Sequence, residues 1–110
     1  MFARPSGAAE VWRERTFEVV LDGVWFTGVF DRVVVELDER GRARKARVMD
    51  FKTERRRAGE TAAQAVVKHT GQINLYRRVA AVLTGLPENQ VECALVLTAW
   101  QCLVEVPLPA

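Results

Sequence analysis

The sequence predicts an α/β domain of order β-β-β-α-β-β, a mixed sheet carrying one main helix. Three observations predict it: two β-rich runs joined by Asp22-Gly23, one apolar stripe at helical spacing between Ile73 and Leu83, and two short apolar runs near the C-terminal end.

The first strand spans Glu10 to Leu21, a run rich in β-branched and aromatic residues with partial alternation. Asp22-Gly23 follows and is a two-residue hairpin signal, because both turn positions need φ > 0. Val24 to Leu37 is the second strand. Asp38-Glu39-Arg40-Gly41 reads as a second turn, and Ala43 to Phe51 as a third strand, so three consecutive antiparallel strands are expected. Thr53 to Gln64 is polar and basic and reads as an irregular lead into the helix. The helix is predicted from about Ala65 to Thr84, with Ile73, Tyr76, Val79, Ala80 and Leu83 on one face; Gly85 ends it and Pro87 cannot continue it. Val91 to Thr98 and Cys102 to Val106 are the two closing strands.

At 110 residues, 49% hydrophobic and 27% charged, the chain fits one small globular domain, expected to span 1–110. No apolar run is long enough to span a bilayer, and Met1-Phe2-Ala3-Arg4-Pro5 lacks a signal-peptide core, so a cytoplasmic protein with no membrane partner is expected. Two cysteines (Cys93, Cys102) and one histidine (His69) exclude a four-ligand Cys/His zinc site within one chain. The cysteines are expected to be free thiols. With Ser6 the sole serine, a serine or cysteine triad is poorly supplied, and chemistry falls to carboxylates and lysine.

The net charge of +2 conceals a basic cluster. Nine of the sixteen Lys and Arg residues lie between 40 and 57, against only Asp50 and Glu54. Such density attracts polyanions, nucleic acid first; a solvated basic turn is the plainer alternative.

Asp31 interrupts apolar strand sequence, and Asp50 and Lys52 close the third strand two residues apart, hence on one face. A neighbouring strand can bring Asp31 alongside them. Paired carboxylates repel unless neutralised, which a hard cation such as Mg²⁺ does with oxygen ligands, while a lysine beside them stabilises charge on a phosphate. The alternative is an ordinary ion pair of Asp31 with Arg32 or Lys52.

The sequence resembles the PD-(D/E)XK nuclease superfamily, and within it the C-terminal nuclease domain of RecB/AddA-type helicase-nucleases, also called exodeoxyribonuclease V-like. The resemblance rests on Gly28-Val29-Phe30-Asp31, on Asp50-Phe51-Lys52-Thr53 and on Gln72-Ile73-Asn74-Leu75-Tyr76, in that order. Glu14-Arg15-Thr16-Phe17 is similar to the Glu-x-x-Phe that opens the first strand, and Ala94 to Val106 to the final strand pair.

The resemblance implies a restriction-endonuclease-like core with Asp31, Asp50 and the Phe51 carbonyl as metal ligands, Mg²⁺ (or Mn²⁺) as cofactor, and Lys52 as the catalytic lysine. Gln72 and Tyr76, one turn apart, would reach the edge of the site and support DNA or the active strand; a surface amide and a core aromatic with its hydroxyl at the rim are the alternatives. Arg55, Arg56 and Arg57 would hold DNA phosphates. Glu14 is an added acid or a strand-edge charge, and His69 a helix-start residue without catalytic duty. In the family a helix before the first strand commonly supplies a further metal-site residue. This chain is expected to lack it, Glu10 being the nearest acid, and to be a C-terminal fragment of a longer helicase-nuclease or a minimal version. The implied function is metal-dependent cleavage of DNA delivered by a helicase motor, in the same chain or a partner subunit, during double-strand-break processing and recombination. A catalytically silent DNA-binding or interaction module is the alternative, and a small structural partner domain the third.

Overall fold

A computed structural model describes residues 8–55 and 57–109. Five strands form one sheet in the order β1-β2-β3-β4-β5, with β1 at Ala9–Leu21, β2 at Val24–Leu37, β3 at Ala43–Lys52, β4 at Val91–Leu97 and β5 at Cys102–Val106. The α-helix α1, Ala62–Thr84, connects β3 to β4, which pair in parallel; every other pairing among the described residues is antiparallel. This is the mixed sheet with one main helix expected of a restriction-endonuclease-like α/β fold. The three-strand meander and the parallel return follow from connection length, since two residues join β1 to β2 whereas β3 to β4 needs a helical crossover.

Asp22 and Gly23 have φ of 51° and 77°, the two left-handed positions of a tight hairpin turn. At the next turn Asp38 Oδ1 accepts from the backbone N–H of Arg40 (2.8 Å) and Arg42 (2.9 Å), an Asx-type closure. Helix α1 starts about a turn before its expected position. Thr61 Oγ1 accepts from Gln64 N and Gln64 Oε1 from Thr61 N, a capping box whose Thr-x-x-Gln signature lay inside the predicted lead-in. His69 is therefore two turns into the helix rather than at its start, and Leu83 is exposed rather than in the stripe. The buried face instead includes Arg77, one turn beyond Ile73.

The Arg77 side chain is almost fully enclosed, at 1% exposure. Its Nε donates to the Val91 carbonyl (3.2 Å), Nη1 to Asn74 Oδ1 (2.6 Å) and the Pro107 carbonyl (3.3 Å), and Nη2 to the Val106 carbonyl (2.5 Å). One guanidinium thus fastens α1 to the start of β4 and the end of β5 through backbone carbonyls of both strand ends.

The β1–β2 ladder keeps one register throughout but omits a single rung, Glu14 opposite Asp31. Glu14 has φ of 46°. On both strands the buried side changes parity across this rung, from Trp12 to Phe17, Val19 and Leu21 on β1 and from Phe30 to Val33, Val35 and Leu37 on β2. The break is where the sheet delivers Asp31 to the site.

Both cysteines are free, as expected, Cys93 buried and Cys102 half-buried. Burial pushes the Cys93 thiol up to about 11, from 9.0, because the thiolate is poorly solvated there. Since the unfolded chain then releases this proton at lower pH than the folded one, the stability involved is intact below about pH 9 and lost as pH rises through 11. Iodoacetamide at pH 8 should accordingly modify Cys102 first. Cys93 should react only on unfolding; equal native rates would contradict its enclosure.

Candidate active site

The site forms at the end of β3, where it leaves the sheet beside α1. Arg32 pairs with Met49 across β2 and β3, and continuing that register sets Asp31 opposite Asp50. The Phe51 backbone N–H donates to Asp31 Oδ2 at 2.8 Å, which holds that carboxylate against the β3 backbone. Asp50 is 5% exposed. Its carboxyl is raised above the usual carboxylate range, first by burial and then by the adjacent Asp31 carboxylate, with Lys52 opposing both.

Lys52 Nζ is 2.9 Å from Asp50 Oδ2 and donates to Gln72 Oε1 at 2.6 Å. Gln72 Nε2 in turn donates to the Tyr76 hydroxyl at 3.4 Å. The Tyr76 ring stands edge-on to Phe17 and Phe30, each 5.5 Å away between centroids. Burial, followed by the Asp50 charge, raises its phenol above the ordinary value. Asp31, Asp50, Lys52, Gln72 and Tyr76 are therefore brought together. Gln72 is itself an exposed residue with its amide against Lys52, and Tyr76 is a half-buried aromatic packed against the core. Among the described residues Asp31 forms no ion pair with Arg32 or Lys52: Lys52 pairs with Asp50, and Asp31 accepts from the Phe51 N–H.

Asp50 Oδ2 is buried, and no donor is aligned to hydrogen-bond it; the Lys52 contact is an ion pair without hydrogen-bond geometry. A buried carboxylate oxygen left this way, beside a second carboxylate, fits a divalent cation, which needs no donor alignment. Among the described residues no group of three His, Cys, Asp or Glu side chains gathers as a metal site. Two carboxylates and a backbone carbonyl suit Mg²⁺, which keeps several waters and takes phosphate oxygens as ligands.

A cleft of about 650 Å³ opens beside Asp31 and Phe51, lined also by Arg13, Glu14, Arg32 and Thr53. Arg13 and Arg32 are cross-strand partners at its mouth. Sequence alone assigns Arg13 no role; its only signal is position, one residue from the rung opposite Asp31. Glu14 lines the cleft, whereas Glu10 accepts from Trp12 Nε1 at 2.7 Å, four residues away from it.

The structure redistributes the basic cluster. Arg44 pairs with Glu36, Lys45 with Glu92, and Arg47 with both Glu92 and Glu105, so these three cations belong to a surface ion-pair network on the sheet. Arg55 and Arg57, following Lys52, form no ion pair among the described residues, and Arg56 lies outside them. Glu54 meets His69, and Glu60 meets Lys68 at 2.9 Å, so adjacent α1 residues secure the segment that carries Arg55 and Arg57. Thr98 Oγ1 donates to the Lys52 carbonyl at 3.0 Å, a support at the β4 end that no motif signalled.

A mixed sheet that sets two carboxylates and a lysine at the exit of its third strand, with a helix glutamine on that lysine, defines a domain of the nuclease type. The chain belongs to the PD-(D/E)XK nuclease superfamily, whose family model matches residues 2–105. No curated protein matches it. No helix among the described residues is long and apolar enough to cross a membrane.

Proposed function

We propose that the domain is a Mg²⁺-dependent deoxyribonuclease that hydrolyses phosphodiester bonds, of the RecB/AddA type and part of a larger helicase-nuclease. The observation that carries this reading is the placement of Asp31 beside Asp50 with Lys52 Nζ 2.9 Å away. Asp31, Asp50 and the Phe51 carbonyl would hold the cation, with Mn²⁺ able to replace Mg²⁺. When bound, the cation supplies Lewis-acid polarisation of the scissile phosphate.

The protein's own groups do the rest. The Lys52 ammonium, aimed by Gln72, orients the attacking water or stabilises charge growing on the phosphate. Tyr76 fixes Gln72 from behind. Arg55 and Arg57, whose guanidinium groups form no ion pair among the described residues, hold flanking phosphates, and Arg56 shares that role by sequence. DNA is the partner, together with a helicase motor that delivers strands during double-strand-break processing and recombination in the cytoplasm; the motor rests on the motif resemblance alone.

A second reading, a module that binds DNA without cutting it, is favoured by the site's having only two carboxylates among the described residues. Calorimetric titration with Mn²⁺ separates the two. The nuclease reading expects one bound ion in the wild type and none in Asp50→Ala, while equal binding by both proteins would remove the metal site and leave the silent module.

A further inference from the structure

Gly28 is the cross-strand partner of Phe17 in the β1–β2 hairpin. A Cβ at Gly28 would lie 2.6 Å from Phe17 Cζ and 2.9 Å from Cε2, so the ring occupies the space that any other residue would fill. From there the ring meets Phe30 at 4.8 Å and the edge of Tyr76 at 5.5 Å, with an interplanar angle of 84°. Tyr76 accepts from Gln72, and Gln72 accepts from Lys52. A continuous series of contacts therefore runs from the missing side chain at Gly28 to the Lys52 ammonium. Each link is directional: an edge-to-face ring pair and then two hydrogen bonds.

We propose that Gly28 is a positioning residue, which seats the Phe17 ring so that Tyr76 and Gln72 hold the Lys52 ammonium in place. This rests on the nuclease reading for its catalytic consequence, though not for its structural one. Only the absence of a Cβ leaves room for the Phe17 ring over Gly28. Any side chain there makes the ring shift, and with it the edge contact to Tyr76, whose hydroxyl is the far support of the Gln72 amide. Asp31, three residues on, is held by the Phe51 N–H and lies outside this series.

Tyr76 is the chain's one tyrosine, so 3-fluorotyrosine labelling gives a single ¹⁹F resonance that reports its ring without any need for activity. In Gly28→Ala that resonance should move or broaden, while Mn²⁺ affinity stays within about twofold. kcat should fall about ten- to a hundredfold with KM little changed, as for a catalytic group misplaced by an ångström or so. Gly28→Ala/Phe17→Leu removes the atoms that clash and should regain thermal stability. If the glycine positions Tyr76 through the ring, kcat stays low in this double variant. If Gly28 only relieves packing, stability and kcat return together, and the proposal fails.

An unmoved ¹⁹F resonance in Gly28→Ala overturns the positioning role whether or not the protein cuts DNA. A resonance that moves in Gly28→Ala, when the wild-type protein itself does not cleave DNA, supports the contact series and counts against the nuclease reading alone.

Discussion

Lys52→Ala should lose cleavage by about a thousandfold or more while retaining DNA affinity within about twofold. The asymmetry follows from where the ammonium sits. It is held by Asp50 and Gln72 at the inner end of β3, with the side chain only 19% exposed, so it acts on one phosphate and contributes little to a long strand contact. Asp31 and Asp50 remain adjacent in the variant, so metal binding persists. Cleavage of labelled DNA in Mg²⁺, with affinity measured separately in Ca²⁺, reads both quantities. Loss of affinity in proportion to rate would make Lys52 a phosphate anchor rather than a participant in the chemical step. Arg55→Ala/Arg57→Ala should do the reverse, weakening binding and flattening the log–log salt slope by about 0.7–0.9 for each phosphate no longer neutralised.

Arg77→Ala should destabilise the domain by about 3–5 kcal/mol, a large share of the roughly 5–15 kcal/mol that a domain of this size has. Truncation leaves the carbonyls of Val91, Val106 and Pro107 without their donor and removes the enclosed stem that fills the space between α1 and the β4–β5 edge. Urea denaturation should show a midpoint lower by about 2 M at an ordinary slope. Arg77→Met restores most of the volume but none of the donors, and should remain destabilised by about 2 kcal/mol or more. A midpoint for Arg77→Met equal to that of wild type would mean that the carbonyls are satisfied by water and that packing alone matters.

The fold was legible because its signals are local. Asp22-Gly23 dictates a hairpin whatever surrounds it, and Gly85 and Pro87 stop the helix in the same way. The first helical turn escapes a periodicity reading because Thr61-Ala62-Ala63-Gln64 carries its signal in capping side chains rather than in an apolar stripe. Arg77 is hidden for a different reason. A charged residue at a stripe position reads as surface, and only the spatial meeting of two strand ends supplies the carbonyls that accept its charge.

The site residues Asp31, Asp50, Lys52, Gln72 and Tyr76 could be gathered from motif order, and the structure sets them together. Arg44, Lys45 and Arg47 looked available for nucleic acid, since their partners Glu36, Glu92 and Glu105 lie on other strands, two of them more than forty residues away. Charge counted along a chain cannot show that pairing.

The skipped rung between Glu14 and Asp31 bears on redesign. Because both strands exchange inside for outside at that one step, restoring an ideal ribbon there would turn every residue of the distal hairpin over. Phe17 and Phe30 would then face solvent, Val20 and Trp25 would face the helix, and Tyr76 would lose its aromatic neighbours. Hairpin loops can be lengthened in matched pairs of residues beyond the rung without disturbing this parity. A single residue inserted on one strand between the rung and Phe17 cannot be absorbed in that way, so tolerance to insertion along the hairpin should alternate between odd and even lengths.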